Sequence, residues 1–160
     1  MAERRSRQQH TPRGSTGPCV FCRIVAGELP AHEVLRTDAL VAFLDSHPLF
    51  PGHVLLVPTV HVQTHDALPL DLALDWLDAS QRLQRAVEQA TGADGALLLV
   101  NNVVSQSVPH VHQHVIPRRR GDGLRFWLGP RRPYADDARA AATATAAAIR
   151  AALSPPAGRT

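Results

Sequence analysis

Three histidines stand at alternate positions of one short segment, which reads SVPHVHQHVIPRRR and begins at Ser107. In an extended strand the side chains alternate between two faces, so His110, His112 and His114 would share one face. On a helix, at about 100° per residue, the same side chains would be spread around the axis. The valines between them and the proline that closes the segment favour the strand. Three imidazoles on one surface indicate binding of a metal, a substrate, or both.

Two cysteines lie far upstream of this segment with two residues between them, at Cys19 and Cys22. They are too few and too close together for a disulfide framework. In a reducing compartment, a C-x2-C pair is more often a metal or redox feature. The alternative interpretation is a pair of reduced, partly buried thiols.

Length and hydropathy limit the class of protein. The 160 residues, 44% of them hydrophobic, are enough for one domain with a core and too few for two. No apolar run approaches the roughly 20 residues needed to span a bilayer. The first residues are polar and basic, unlike the apolar region of a secretory signal. We therefore expect a soluble, cytoplasmic protein with no membrane partner.

The positive charge comes entirely from arginine, because the chain has 17 basic residues and no lysine. This excludes Schiff-base chemistry and Walker-type phosphate loops. The arginines concentrate in residues 1–18 and again in residues 118–132. Such patches are compatible with nucleic acid, but few aromatic residues are interleaved with them, and a small phosphate-bearing molecule would suit them equally well. We expect the small molecule and regard nucleic acid as the weaker alternative.

Hydrophobic periodicity predicts an α+β fold with a mostly antiparallel sheet of about five strands, one long helix and a C-terminal helix. The domain is expected over residues 18–134, between a disordered basic tail (1–17) and an alanine-rich helix and tail (135–160). The predicted elements are a short helix or turn within 18–30, two strands within 33–45, a strand over 53–57, a helix over 68–91, strands over 95–100 and 108–116, a loop over 117–134 and a helix over 135–153.

Four segments, in order, resemble the histidine triad (HIT) family of nucleotide hydrolases and transferases. They read CVFCRIVAGELP, VAFLDSHPLFPGHVLLVPTVH, the paired asparagines that follow an apolar strand, and SQSVPHVHQHVIPR. The resemblance covers about residues 18–120. Gln113 departs from the apolar residue usual at its position. The loop between the asparagines and Ser107 is shorter than the common form and lacks its glycine-rich sequence.

The resemblance implies attack on the α-phosphate of a nucleotide, with His112 as the nucleophile. The second ring nitrogen of His112 is expected to bond a backbone carbonyl of the neighbouring strand. His114 would donate to a phosphoryl oxygen, Asn101 to a phosphate oxygen, and Ser107 would reach the leaving group or the phosphate. The plainer interpretations are solvated strand histidines, a turn residue at Ser107 and a strand-end cap at Asn101.

The resemblance also implies how the nucleoside is bound. Asp45 matches the carboxylate that accepts hydrogen bonds from both ribose hydroxyls, although an aspartate can equally cap a loop. An apolar clamp would surround the base, and the same residues could simply belong to the core. The clamp residues are Val20, Phe21, Ile24, Phe43, Leu44 and Leu55. His53 matches a family position near the site, without a role that we can assign.

The zinc-bearing branch of the family implies a division of labour among the histidines. Cys19, Cys22, His61 and His110 match the ligands of a closed structural Cys2His2 zinc site. The other two histidines of the triad would then handle phosphate. The alternative is a pair of reduced thiols, with His61 on a surface turn.

We therefore expect a homodimeric, zinc-stabilised enzyme with a nucleotide as its small-molecule partner. It would hydrolyse or transfer a nucleoside monophosphate from adenosine phosphoramidates or dinucleoside polyphosphates through a nucleotidyl-His112 intermediate. One alternative is a nucleotidyltransferase or phosphorylase whose acceptor is not water. Another is a zinc-stabilised nucleotide-binding module with little turnover. A nucleic-acid-binding protein would instead show a steep dependence of affinity on salt.

Overall fold

The computed structural model describes residues 19–124 and 139–153. The expected tail over 1–17 and residues 125–134 of the expected loop lie outside the described residues. The chain divides into two compact units, and the boundary falls after Asp122. No helix within the described ranges is long and apolar enough to cross a membrane.

Five strands form one antiparallel sheet in the order β1-β2-β3-β5-β4, which confirms the predicted fold class. Short apolar runs rich in valine and leucine form the central strands, and β3 is buried along its whole length because both faces of the sheet are covered. The strands are β1 (Glu33–Arg36), β2 (Leu40–Leu44), β3 (Val54–Pro58), β4 (Gly95–Val100) and β5 (Gln113–Arg118).

The described residues form three α-helices: α1 (Val20–Val25) and α2 (Ala73–Thr91) in the unit that holds the sheet, and α3 (Arg139–Leu153) in the other unit. Helix α2 begins at Ala73 and not at the predicted residue 68, because Pro69 has a non-helical ψ of 134° and Leu70–Leu72 form a 3-10 turn in which the Leu72 amide donates to the Pro69 carbonyl at 3.1 Å. Gly92 ends α2 in the left-handed region, at φ 63° and ψ 32°, as expected. The helix predicted from residue 135 begins at Arg139, and residues 135–138 lie outside the described ranges.

The histidine strand begins later than predicted, at Gln113 rather than residue 108. The Val111 amide donates to the Val62 carbonyl at 2.6 Å instead of joining a neighbouring strand. The carbonyl of Pro58, at the end of β3, accepts from the His110 ring rather than from a backbone amide. Because these two groups bond outside the ladder, regular pairing with β3 stops at Gln113.

Successive side chains of each strand point to opposite faces of the sheet, and on each face they pack into a hydrophobic cluster. On β2, Leu40 and Ala42 face α2, whereas Val41 and Phe43 pack with α1. The α2 cluster consists of Leu40, Ala42, Val54, Leu56, Trp76, Ala79, Leu83, Val87 and Val115. The α1 cluster consists of Phe21, Ile24, Val41, Phe43, Leu55 and Val57. The α1 face carries the candidate site.

Candidate functional site

The three histidines lie on the α1 face, as their alternating spacing predicts. Val115 packs into the α2 cluster, and the buried Gln113 accepts a hydrogen bond from Ser80 of α2 at 2.5 Å. On the opposite face the His112 ring contacts Phe21 of α1, with 5.2 Å between ring centroids, and His114, with 4.9 Å. The two-residue period therefore holds at these positions, although the regular strand covers only part of the segment.

His112 and His114 line a pocket of about 710 Å³ between α1, β2 and the segment before β5, whereas His110 does not. Most residues predicted for the nucleotide site line it together: Val20, Phe21, Ile24, Phe43, Leu44, Asp45, Leu55, Ser107, His112 and His114. Asn101 is not among the residues that line this pocket. The sequence did not point to Pro30, Ala31, His32, Ser46, His47 and Val108, which also line it; Ser46 and His47 could have been suspected from their place directly after Asp45.

The protonation state of His112 follows from one backbone contact. Its Nδ1–H donates to the carbonyl of His110 at 2.7 Å. This acceptor belongs to the same segment, so the expected acceptor in the neighbouring strand was wrong. Burial lowers the pKa of His112, which favours the neutral ring. The proton sits on Nδ1, and Nε2 keeps a lone pair.

A chain of contacts likewise decides which nitrogen of His114 carries its proton. The Leu49 amide donates to His53 Nδ1 at 3.3 Å, so the His53 proton must lie on Nε2. That Nε2 is 2.9 Å from His114 Nδ1, which therefore accepts, and His114 carries its own proton on Nε2. Burial lowers the pKa of His53, and burial together with His112 and His53 lowers that of His114 to about 4, so both rings are neutral.

The Nε2–H of His114 is the one buried side-chain polar atom among the described residues that has no hydrogen-bond partner. Leaving a buried donor unpaired costs about 1–3 kcal/mol, so such atoms in folded proteins call for an explanation. A phosphoryl oxygen bound in the pocket would accept this hydrogen bond. The unpaired donor thus indicates that a ligand in the pocket supplies an acceptor atom at this point.

Asp45 lies at the end of β2 with one carboxylate oxygen engaged. Its Oδ1 accepts from the His47 amide at 2.9 Å, which fixes the side chain. Its Oδ2 is 3.5 Å from His53 Nδ1, and that nitrogen already accepts from Leu49, so the contact is not a hydrogen bond. Oδ2 can therefore accept hydrogen bonds from a ligand in the pocket.

Beside the pocket, the four predicted metal ligands converge. Cys19, Cys22, His61 and His110 bring one ligand atom each to within 4.8 Å of all the others. His110 Nδ1 is 3.5 Å from each sulfur, and His61 Nδ1 is 3.2 Å from that of Cys22. A tetrahedral zinc with Zn–S near 2.3 Å and Zn–N near 2.05 Å places sulfur and nitrogen about 3.5 Å apart. The cluster therefore has the chemistry and the dimensions of a zinc site.

One further contact favours a cation at this cluster. The Nε2–H of His110 donates to the Pro58 carbonyl at 3.0 Å, which leaves the Nδ1 lone pair directed at the thiols, and a hydrogen bond of this kind holds a histidine in the orientation of a metal ligand. Burial and the neighbouring Cys19 raise the pKa of Cys22 to about 11, so a cation that binds here would displace the thiol proton.

Comparisons with known proteins agree with this geometry. A family model described as "HIT domain" matches residues 26–121. An uncharacterised HIT-like protein of Methanocaldococcus jannaschii is 38% identical over 107 residues, 66% of this chain and 82% of that protein. An adenylylsulfatase of Arabidopsis thaliana is 36% identical over 66% of this chain and 55% of its own length. An adenosine 5′-monophosphoramidase of Saccharomyces cerevisiae is 36% identical over 63% of each chain.

Solved structures share the fold over most of this chain. A member of the HIT family from Bacillus subtilis matches with a TM-score of 0.74 and 29% identity, over 88% of this chain and 100% of that one. A zinc-bound histidine triad family protein from Mycobacterium smegmatis matches with a TM-score of 0.63 and 32% identity, over 84% of this chain and 96% of that one.

Proposed function

This chain belongs to the HIT domain family, and we propose that it is a nucleotide hydrolase that cleaves at the α-phosphate of an adenosine phosphoramidate or a dinucleoside polyphosphate. The observation that carries the proposal is the pairing of two neutral rings in one pocket. His112 offers a lone pair on Nε2, and His114 offers an unpaired donor on Nε2. A nucleophile beside a donor for phosphoryl oxygen is what phosphoryl transfer requires.

In the first step, the Nε2 lone pair of His112 attacks the α-phosphorus and a P–N bond forms. The bond from phosphorus to the leaving group breaks, and the leaving group takes a proton from Ser107 or from water. The Nε2–H of His114 donates to a phosphoryl oxygen, where negative charge builds up. As His112 becomes cationic, its Nδ1–H bond to the His110 carbonyl strengthens, because hydrogen bonds from charged donors are stronger.

In the second step, a water molecule attacks the phosphorus of the nucleotidyl-His112 intermediate. The P–N bond breaks and its electron pair returns to Nε2, and a nucleoside monophosphate is released. The proton that the attacking water loses goes to Ser107 where Ser107 protonated the leaving group, and otherwise to solvent, so the free enzyme is regenerated. Dividing one displacement into two easier ones is the advantage of covalent catalysis. The relatives named as an adenylylsulfatase and an adenosine 5′-monophosphoramidase support an adenylyl group as the part transferred.

The nucleoside would lie at the other end of the pocket. Phe21 and Ile24 of α1 and Phe43 of β2 would sandwich the base, and Asp45 Oδ2 would accept from the ribose hydroxyls. Asn101 does not line the pocket, so in this proposal it serves the phosphate through its amide only if the bound ligand extends beyond the pocket.

The proposal is tested by single-turnover kinetics on amidates, dinucleoside tri- and tetraphosphates and nucleotide sugars, with wild type and His112→Gly. The substitution should lower kcat by at least about 10³-fold, because removing a nucleophile normally costs several orders of magnitude. Binding of adenosine monophosphate serves as the control and should persist. Retention of more than a few per cent of kcat would refute His112 as the nucleophile.

Two other outcomes identify the alternatives. Binding of nucleotides by the wild type without turnover would mean a zinc-stabilised binding module. Turnover only in the presence of inorganic phosphate or another acceptor would mean a phosphorylase or nucleotidyltransferase. The water-accepting hydrolase is favoured because relatives named as an adenylylsulfatase and an adenosine 5′-monophosphoramidase support it.

The Cys19, Cys22, His61 and His110 cluster is proposed as a structural zinc site, and the zinc-bound relative from Mycobacterium smegmatis supports it. With four protein ligands the ion has no open position for substrate, so its contribution would be to folding. Because thiolate ligands must stay reduced, we also propose a reducing compartment such as the cytoplasm.

A homodimer is proposed from two exposed features. Strand β4 ends the sheet, and an edge strand offers its backbone groups to another strand. Leu70, Leu74 and Leu77, near the start of α2, are 90%, 79% and 54% exposed at helical spacing. An apolar stripe of this kind is typical of an interface. Analytical ultracentrifugation should give twice the mass of the 17.3 kDa chain, and Leu74→Arg should weaken the association.

A further inference from the structure

The loop over residues 101–107, which joins β4 to the histidine segment, has a strained backbone. Val103 and Ser105 have φ values of 63° and 62°, in the left-handed region that residues other than glycine rarely adopt. The conformation is especially unfavourable for a β-branched residue such as Val103. Val103 is also 75% exposed, so packing of its side chain does not explain the strain. Other contacts must hold the loop in this shape.

Gln106 supplies these contacts through its side-chain amide. Its Oε1 accepts from the Val103 amide at 2.8 Å, and this bond closes the strained turn between Val103 and Gln106. Its Nε2 donates to the Gln63 carbonyl at 2.6 Å and fastens the turn to residues 61–65, which we call the strap. A second bond, from the His65 amide to Asn102 Oδ1 at 2.8 Å, holds the other side of the loop.

The strap is itself anchored at two points of the site. His61 contributes to the cysteine and histidine cluster, with its Nδ1 3.2 Å from Cys22 Sγ. The next carbonyl, that of Val62, accepts from the amide of Val111, which is fully buried between two histidines of the triad. The strap is therefore a fixed support rather than a free loop, and Gln106 ties the strained turn to it.

We propose that Gln106 is a positioning residue: by holding the 101–107 loop against the strap, it places the Ser107 hydroxyl at the phosphate end of the pocket. This inference rests on the proposed function, in which Ser107 serves the leaving group. Ser107 follows Gln106 directly and is exposed, so it has little packing of its own to fix it. The position of its hydroxyl depends on the turn.

The expected defect is confined to one end of the pocket. Without the Gln106 amide, the strained turn relaxes and Ser107 moves away from the leaving group. The nucleoside end is built on β2 and α1, around Asp45 and Phe21, whereas the two hydrogen bonds of the Gln106 amide go to the loop and the strap. Nucleotide affinity should therefore change little while turnover falls, and the fall should depend on how much the leaving group needs a proton.

The test uses Gln106→Leu, which has a similar size but neither hydrogen bond, and Gln89→Leu, on an exposed position of α2, as the matched control. Adenosine 5′-phosphoramidates with alkylamine and nitroaniline leaving groups are compared. Gln106→Leu should lower kcat about 10–100-fold for the alkylamines and much less for the nitroanilines. The dissociation constant of adenosine monophosphate should change less than about threefold, and Gln89→Leu should match wild type. Equal losses for both leaving groups, or none, would overturn the proposal.

Two further variants keep the test decisive if Gln106→Leu fails to fold. Gln106→Glu can still accept from Val103 but cannot donate to Gln63, and it should show a smaller loss with the same dependence on leaving group. Val103→Gly removes the backbone strain, so the turn no longer needs Gln106 to hold it. The double variant with Val103→Gly and Gln106→Leu should therefore have a kcat at least about threefold higher than that of Gln106→Leu alone. If the loss of kcat in the double variant equals the combined effects of the two single substitutions, the role of Gln106 in holding the turn is contradicted.

Hydrogen exchange separates failure of this inference from failure of the proposed function. Gln106→Leu should speed amide exchange in both the loop and the strap, whether or not the protein turns over substrate. If wild type turns over amidates but Gln106→Leu leaves exchange and kcat unchanged, the inference fails and the function stands. If wild type turns over none of the amidates, the hydrolase proposal fails, and unchanged exchange in Gln106→Leu would overturn the inference separately.

Discussion

Removal of zinc is the perturbation with the largest effect that the structure predicts. The cluster joins Cys19, which precedes α1, and Cys22, which lies within it, to His61 on the strap and His110 before β5. Helix α1 has six residues, too short to be stable alone. Its other attachments are the burial of Phe21 and Ile24 and a few bonds near its end, so loss of the ion should release it.

The magnitude follows from linkage. An ion present at about 1,000 times its dissociation constant stabilises the folded state by about 4.1 kcal/mol. In a chain of this size, about 1 kcal/mol corresponds to roughly 2–4 °C in melting temperature, so the expected loss is about 8–16 °C. The ligand atoms already lie close to tetrahedral spacing, and we expect little of the binding energy to be lost in rearranging them.

Elemental analysis of freshly purified, untagged protein should give about one zinc per chain, and calorimetry with a strong chelator should show the lowered melting temperature. Cys19→Ser combined with Cys22→Ser should reproduce that loss, and the chelator should then have no further effect. This insensitivity is the control for nonspecific action of the chelator. Absence of zinc, together with a melting temperature that the chelator does not change, would refute the site and leave Cys19 and Cys22 as ordinary core thiols.

Two further predictions concern the pocket. Asp45→Ala should weaken ribonucleotides about 10–100-fold and 2′-deoxynucleotides much less, because one hydrogen bond to a charged acceptor contributes about 1.5–3 kcal/mol; equal losses in calorimetric titrations would make Asp45 a structural residue. Folding lowers the pKa of His114 from 6.5 to about 4, so the unfolded chain binds a proton before the folded chain does as pH falls. The contribution of neutral His114 to the free energy of unfolding should therefore be fully present above pH 6.5 and should decrease between pH 6.5 and 4. Allowing for the partial exposure of His114, urea unfolding should show that the free energy of unfolding decreases by roughly 1–2 kcal/mol over this range because of His114, and His114→Gln should not show this part of the decrease. An unchanged pH dependence in the variant would contradict the lowered pKa.

Local pattern determined much of this protein. The alternation of His110, His112 and His114 with apolar residues placed them on one face, and the spacing of Cys19 and Cys22 indicated a metal site. Apolar periodicity and terminating glycine defined α2, and short valine- and leucine-rich runs defined the strands. These features depend on neighbours a few residues apart, and such neighbours are adjacent in sequence whatever the fold.

The tertiary structure decided which atom of each side chain is available to a ligand. His114 meets His53, 61 positions away, and only this contact, with the Leu49 amide behind it, leaves a proton on His114 Nε2. The start of β5 depends on where the Val111 amide finds its acceptor, which is Val62 on the strap and not a neighbouring strand. The role of Gln106 is likewise invisible in the sequence, because its partner is a backbone carbonyl 43 positions away. Hydrogen bonds are directional and short. The protonation state and the orientation of a side chain therefore depend on contacts that form only when distant segments pack together.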